Sequence, residues 1–416
     1  MKLIEISKEQ FSDYTDNFAN VYYTHISGME KVFALRGYEY VYLGLADDQG
    51  KLHGVTVLVK MKLRIGYTFD VRISPETIDL TNHKLVVTLL NELKKYAKEH
   101  GALDLYVAPN LPKRIVSDNN SADNMNQEII DLIRENGFSY RSLDQGIDPL
   151  FENWAYKKDL TGLNEDTLWD SYNDNARYSI NNAQKYGINV RQLEYSELDK
   201  FKLLTQHTAD RVGYNDKTLE YYQTAYKNVG EKIKFWAAEV DFNKYRDNLV
   251  EIRDDLQNKI DAIDEHLEKF PNSRKKLNQK REFLSQIEAQ QKRIEEAEQW
   301  IADSSEKAGA TLLAGGMFLY TDDVVYYTLS GSYAHYSNLN APFLIQHHVM
   351  TEAVRNGIST YDFLGIDGDF SGTDTIYEFK KSFNGYAEQK IGVFHWIAQP
   401  VKYKLIEFLK KILGRN

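Results

Sequence analysis

The sequence predicts an α/β (α+β) protein in which one mixed unit is used twice in tandem, with an antiparallel helical arm let into the second copy. Three observations predict it. The order strand, strand, strand, helix, strand occurs in both halves of the 416-residue chain. The second occurrence is interrupted between its first two strands. The interruption, about residues 241–307, carries a seven-residue apolar period.

In the first copy, residues 8–36 read as mostly helical. EYVYLGLA, the turn DDQGK, LHGVTVLVKM and IGYTFDVRIS follow as strands rich in branched and aromatic residues. The helix LVVTLLNELKKYAKEHG then stops at Gly101 and runs into the strand ALDLYVAP. A glycine just past the last turn takes the left-handed conformation that closes a helix without steric cost. The second copy repeats this grammar: a helical stretch over 198–230, the strands IKFWAAEVD, TLLAGGMFLYT and DVVYYTLSGS, a helix FLIQHHVMTEAVRNG closed by Gly357, and the strand ISTYDFLGI. The expected organisation is a first domain of residues 1–150 with about 386–416, a second of 151–240 with 308–385, and the arm between 241 and 307.

Within the arm, Leu249, Leu256, Ile263 and Phe270 recur every seven residues, with Tyr245 and Ile252 between the earlier ones. That spacing makes an apolar seam on a helix. Pro271 is barred from a helix interior, and Ser273 suits the next start. A second helix carries Leu277, Leu284, Ile287, Ile294, Ala297 and Ile301. Two such helices fold back as an antiparallel coiled coil reaching roughly 40 Å from its base.

With 42% hydrophobic residues the chain can bury two cores. It contains no cysteine, which excludes disulfides, thiol nucleophiles and thiolate metal sites. It shows no long apolar run, so a cytoplasmic, soluble protein is expected. A net charge of −10 argues against a general nucleic-acid coat, and any RNA contact has to be local. The arm's turn supplies one such locality: Arg274, Lys275, Lys276, Lys280 and Arg281 cluster at the tip, where phosphates are met or the charges are simply solvated. A second basic element, NARYSINNAQKYGINVRQL with Arg177 and Lys185, ends a helix at Gly187.

Taken together, NARYSINNAQKYGINV, HTADRVGYNDKTLEYY, YYTLSGS and TDTIYEFKKSFNG resemble the Fem/MurM family of peptidoglycan peptidyltransferases, over nearly the whole chain. The resemblance implies a pair of acetyltransferase-like domains, aminoacyl-tRNA as donor, and as acceptor the stem-peptide amine, lysine by expectation, of a cell-wall precursor. Members with the arm act on lipid-linked precursor, and armless ones on the nucleotide-linked muramyl pentapeptide. No cofactor or metal is implied. It further implies that Lys217 and Arg36 are cations on the precursor diphosphate, with Arg36 reached by a one-residue shift, and that Tyr221 is a ring beside that site. Phe379 and Lys380 match a pair facing the 3′ end of the aminoacyl-RNA, with Lys380 stabilising charge on the ester carbonyl. By analogy with the arm of seryl-tRNA synthetase, the tip cations are expected to touch tRNA.

The chemistry fits these residue types. An aminoacyl ester is already activated, so the acceptor amine needs only placement and loss of a proton. At an ordinary pKa of about 10.4 a lysine-type amine is neutral in only about one molecule in a few thousand at pH 7, so its surroundings must assist. Two departures from the family pattern bear on this. Ala108-Pro109 stands where some members carry an aspartate, and Leu329 stands for a tyrosine. Glu378 and Asp374 are the carboxylates near Lys380 in sequence, and a fixed base is not established by them.

Two other readings remain open. One is a CoA-dependent N-acyltransferase, against which the chain has no complete [RQ]xxGx[GA] phosphate loop, QKYGIN and RENGFS failing at the last position. The other is a non-catalytic tRNA- or partner-binding adaptor. His347 and His348 are adjacent on a helix and point apart, unlike metal ligands. The C-terminal VKYKLIEFLKKILGRN is a basic amphipathic helix, with Leu405, Phe408, Leu409 and Ile412 on one face, that either docks on its own domain or grazes an anionic membrane.

Overall fold

The computed structural model describes residues 1–15, 22–63, 65–117, 121–142, 144, 146, 151–303 and 310–412. The first half runs β1 (Lys2–Glu5), α1 (Lys8–Thr15), α2 (Met29–Ala34), β2 (Tyr38–Ala46), β3 (Leu52–Lys62), β4 (Tyr67–Ile73), α3 (His83–Glu99), β5 (Ala102–Pro109), β6 (Pro112–Val116), α4 (Gln127–Glu135) and β7 (Ser139–Arg141). The second runs β8 (Trp154–Asp159), α5 (Glu165–Asp170), α6 (Asp174–Lys185), β9 (Asn189–Gln192), α7 (Leu198–Val212), α8 (Leu219–Val229), β10 (Ile233–Val240), α9 (Phe242–Lys269), α10 (Arg274–Asp303), β11 (Thr311–Tyr320), β12 (Val324–Ser332), α11 (Ala341–Arg355), β13 (Thr360–Ile366), α12 (Thr375–Lys381), β14 (Tyr386–Lys390), β15 (Val393–Ile397) and α13 (Pro400–Ile412).

The strands form two sheets, ordered β1-β2-β3-β4-β5-β15-β7 and β6-β14-β8-β13-β12-β11-β10-β9. In each, three antiparallel strands lead through a helix to a fourth that lies parallel to the third: β2, β3, β4, α3, β5 in one and β10, β11, β12, α11, β13 in the other. These are two tandem acetyltransferase-like units. Gly101 and Gly357 follow α3 and α11 at φ +73° and +72°, the left-handed conformation that stops each helix.

Strand pairing draws the domain boundaries differently from the sequence expectation. Tyr386–Lys390, assigned to the first domain, pairs with β8 in the second sheet, and β6 leaves the first half to pair with β14. Only from β15 onward does the C-terminus rejoin the first sheet, between β5 and β7. The N-terminal helical stretch also crosses over: Ile26, Met29 and Val32 pack with Phe201, Tyr222 and Phe235 of the second domain.

Side chains alternate across a sheet with period two. On one face of the first sheet Leu43, Leu58, Phe69, Val71, Leu105 and Val107 pack under α3 and α4, through Leu89, Leu93 and Ile133. Each such burial contributes about 1.5–3 kcal/mol. The other face carries Tyr40, Thr68, Asp70, Arg72, Asp104 and Tyr106, and forms the cavity described below.

Helices α9 and α10 make the arm, each roughly 42–45 Å long at 1.5 Å per residue. The residues at the end of the expected arm, 304–307, lie outside the described ones. Tyr245, Leu249, Leu256, Ile260 and Ile263 are buried along α9, and Ile294 and Ala297 along α10. The outer register differs from expectation: Phe270, Leu277 and Leu284 are 60%, 37% and 42% exposed. Leu277 and Leu284 continue by sevens to Gln291 and Glu298, whereas half-buried Phe283 continues to Ala297, so the apolar layer at the base selects the latter row. At the base Trp300 packs on Phe242 and Tyr336, both at 5.2 Å.

Candidate functional site

A cavity of about 440 Å³ lies on the face of the first sheet opposite α3 and α4. Its floor is wired by polar contacts between neighbouring strands. Thr68 donates to Asp104 at 2.8 Å, whose other oxygen meets His395 Nε2 at 3.0 Å. His395 stacks on Tyr106 with ring centroids 4.4 Å apart. Arg72 pairs with Asp70 at 3.1 Å and lies 4.9 Å over the Phe151 ring. Tyr22 and Tyr23 line the cavity and meet Tyr326 of β12, at 6.3 and 5.6 Å, so the cavity abuts the second sheet. Tyr403 and Ile406 of α13 complete the wall.

Arg36 lines this cavity, 4.8 Å over Tyr38. Lys217 comes from the segment before α8 and lies 5.8 Å over Tyr221. Burial, and then the neighbouring Arg36 charge, lowers the Lys217 pKa. Burial, with Tyr23 next, pushes Tyr221 up to about 12. The docking of α2 against α8 brings Arg36 near enough to Lys217 for its charge to be felt there. Like charges held together at a cavity make a site for an anion.

Lys380 is placed otherwise than as a free cation. It is only 6% exposed, and its ammonium donates to the carbonyls of Phe363, Leu364 and Gly365 at 2.8, 3.1 and 2.6 Å. These three N–H groups are all that a lysine has. They hold a bulge in β13, where register against β8 shifts between Asp362 and Gly365 and Leu364 is driven to φ +56°. Burial lowers Lys380 to about 8, partly countered by Glu152 and Asp362. Phe379 is packed edge-on to Phe343 at 4.8 Å and Phe383 at 5.7 Å. Asp374 caps α12, accepting from Ile376 N–H at 2.8 Å, and Glu378 is exposed.

The bulge has a consequence for the parallel pair. β4 and β5 stay paired as far as Ile73 and Pro109, but β12 and β13 pair only from Val324 and Thr360 to Tyr326 and Asp362. Beyond Tyr326 and Asp362 the two strands are no longer paired.

Beside Asp362, where this pairing ends, lies a buried charge cluster that sequence reasoning missed. Glu388 pairs with Lys157 at 2.7 Å and Lys390 at 2.6 Å, and Lys390 also donates to Asn110 at 2.9 Å. Burial opposes the Glu388 charge, but Lys390 and Lys157 hold its pKa down at about 2. Glu152, in the stretch leading to β8, lines both the main cavity and a smaller pocket shared with Ala108, Pro109 and Asn110. Burial first, and the Asp362 carboxylate second, push it well above the ordinary carboxylate range. The signal for Asp70, Arg72 and Asp104 was available: charged residues at alternate positions of strands whose other positions are apolar. Glu152 lies in irregular chain and carried no such pattern.

At the arm tip Arg274, Lys275 and Arg281 are exposed and Lys276 half-buried, while Lys280 is engaged by Asp264 across the hairpin at 2.6 Å. On α13 Val401, Leu405, Phe408 and Leu409 are 85%, 57%, 61% and 41% exposed. The Ile412 side chain lies outside the described residues. Among the described residues no helix is long and apolar enough to cross a membrane. His347 meets Tyr172 Oη at 3.3 Å, and His348 packs on Trp236 at 4.4 Å. Arg177 is tied to Asp174 at 2.7 Å.

The sequence pattern of the FemAB family matches residues 6–411. Aminoacyltransferase FemA of Staphylococcus aureus (strain MRSA252) is 25% identical over 424 aligned residues, covering all of both chains. Aminoacyltransferase FemA of Staphylococcus epidermidis (strain ATCC 12228) is 23% identical, covering 99% of this chain and 100% of the relative. The crystal structure of FemX superposes with a TM-score of 0.72 at 19% identity, covering 98% of this chain and 100% of that one, which shows a shared fold.

Proposed function

The chain belongs to the FemAB family, and on that premise we propose that it is a peptidoglycan aminoacyltransferase, moving an amino acid from aminoacyl-tRNA to the stem-peptide lysine amine of a cell-wall precursor. The observation that carries the reading is a cavity lined by Arg36 and by the buried Glu152, with Lys217 close enough to Arg36 to feel its charge. In this reading the two cations take the precursor diphosphate, with Tyr221 as the ring beside them. The amine reaches past Tyr22 and Tyr23, and the ester enters beyond the point where β12 and β13 are paired. Lys380 acts on that ester indirectly, by fixing the bulge in β13, and Phe379 buttresses α12. No cofactor is needed, because the ester is already activated. Purified protein incubated with radiolabelled alanyl-, seryl- or glycyl-tRNA and lipid-linked precursor should yield labelled branched product. No product from any of them, or from nucleotide-linked muramyl pentapeptide, retires the reading.

The arm is assigned to tRNA through Arg274, Lys275, Lys276 and Arg281, with Lys280 holding the hairpin together. Neutralising the four free cations should weaken tRNA binding and lower the slope of log affinity against log salt by about 3–4. An unchanged slope in an anisotropy titration removes the arm from the tRNA site.

A lipid-linked acceptor suits the position of α13. The helix turns Tyr403 and Ile406 to the cavity and leaves Val401, Leu405, Phe408 and Leu409 exposed, a face that suits contact with an anionic membrane surface. Leu405→Ser with Phe408→Ser should reduce co-sedimentation with phosphatidylglycerol vesicles tenfold or more, at about 1.5–3 kcal/mol per buried side chain. Equal sedimentation of variant and parent rejects the contact.

A further inference from the structure

We propose that Glu152 is the group that takes the proton from the acceptor amine. The inference rests on the aminoacyl-transfer reading above and names the base which that reading lacks.

Position comes first. Glu152 is the one carboxylate, among the described residues, that lines both the main cavity and the smaller pocket behind it. That pocket includes Ala108 and Pro109 at the end of β5, which offer no acid of their own. The stretch carrying Glu152 leads into β8, and β8 in turn pairs with β13 where the pairing of β13 with β12 stops.

Availability comes second. The Glu152 Oε2 atom is buried and has no hydrogen-bond partner among the described residues. Asp70 Oδ1 is likewise buried without a hydrogen-bond partner among the described residues, but each neighbouring carboxylate is held by a cation or donor through at least one oxygen. Asp70 is paired with Arg72, Asp104 with Thr68 and His395, and Glu388 with two lysines. Asp362 accepts from Leu364 N–H and faces Lys157 at 3.8 Å. A buried polar atom left unpaired costs stability, and such atoms recur where a substrate group completes the bond.

The surroundings suit a base. Asp362 and Tyr326 face Glu152 from the second sheet, Tyr22 and Tyr23 face it from the first domain, and Arg72 lines the same cavity. Lys157, Lys380 and Lys390 oppose the upward push of burial and Asp362. A carboxylate raised in this way titrates near neutrality and is closer in basicity to an amine than an exposed one is, which is where general-base efficiency peaks.

The proton count closes. The stem ammonium gives one proton to the Glu152 carboxylate and becomes an amine. Its lone pair forms the C–N bond at the ester carbonyl. As the C–O bond to ribose breaks, the second nitrogen proton passes to the departing oxygen. Glu152 then returns its proton to water, so ester and ammonium become amide, alcohol and one released proton.

The test is single-turnover transfer by the full chain with charged tRNA and lysine-containing lipid-linked precursor across pH 5.5 to 9. E152Q should lose about 10²–10⁴ in rate with little change in precursor KM, and should lose the acidic limb of the wild-type profile. Its deficit should shrink when the stem lysine is replaced by a less basic amine, a dependence that a merely structural role would not produce. A rate within threefold of wild type with the same acidic limb overturns the proposal and leaves the transfer reading standing. Wild type that transfers nothing overturns both. If E152Q melts too low to assay, E152D decides: a displaced acidic limb supports the role and an unmoved one rejects it.

Discussion

Replacing Lys380 with methionine should lower stability by about 3–5 kcal/mol and with it almost all transfer activity. The side chain keeps its length, but three carbonyls turned inward by the β13 bulge lose their donors at once. The Leu364 backbone, already at φ +56°, then has nothing to hold it there. A free catalytic cation behaves differently, because its removal leaves melting unchanged while turnover falls. Calorimetry separates the two, and unaltered melting of Lys380→Met with lost turnover would restore the direct role. The sign of the pH dependence gives a second check. With its folded pKa near 8, below the ordinary 10.5, Lys380 binds its proton more weakly in the folded than in the unfolded chain. The penalty for burying its charge is full below pH 8 and is relieved as pH rises from about 8 to 10.5, so that contribution to stability rises across the window. The methionine variant should lack this rise.

Lys380 also marks the limit of what the sequence could reveal. The repeated strands, the glycines that end α3 and α11, and the arm were legible because each is local: a period, a turn residue, a break. The placement of β6 and β14 in the second sheet was not, since short strands carry no pattern beyond their own few residues. The α10 register stayed ambiguous because two adjacent rows of that helix both hold apolar residues, and packing at Ala297 chose between them. The convergence of Arg36, Lys217 and Tyr221 was legible only through the family resemblance; nothing in their spacing joins them. The docking of α2 on α8, a contact across nearly two hundred residues, is what makes them neighbours. The sequence placed Lys380 beside Phe379 but said nothing of the carbonyls it would meet.

Removing either cation of the Arg36 and Lys217 pair should weaken precursor binding about 10- to 100-fold, the range for one charge-assisted hydrogen bond to phosphate. The two effects should not add. In the free protein the Arg36 charge adds to burial in disfavouring the Lys217 charge. Arg36→Gln therefore relieves a repulsion that the diphosphate otherwise neutralises, and part of the lost binding energy reappears as a more stable free state. The double variant should bind more tightly than the sum of the two single losses implies. Arg36→Gln should also raise the Lys217 pKa, moving the alkaline limb of precursor binding upward, and should raise the melting temperature slightly while affinity falls. Lys217→Arg keeps the charge and adds a planar pair of donors, so binding should hold or improve. Isothermal titration with the precursor's soluble diphosphate headgroup measures all four variants, and strictly additive losses with an unmoved alkaline limb would mean that the two cations serve separate groups.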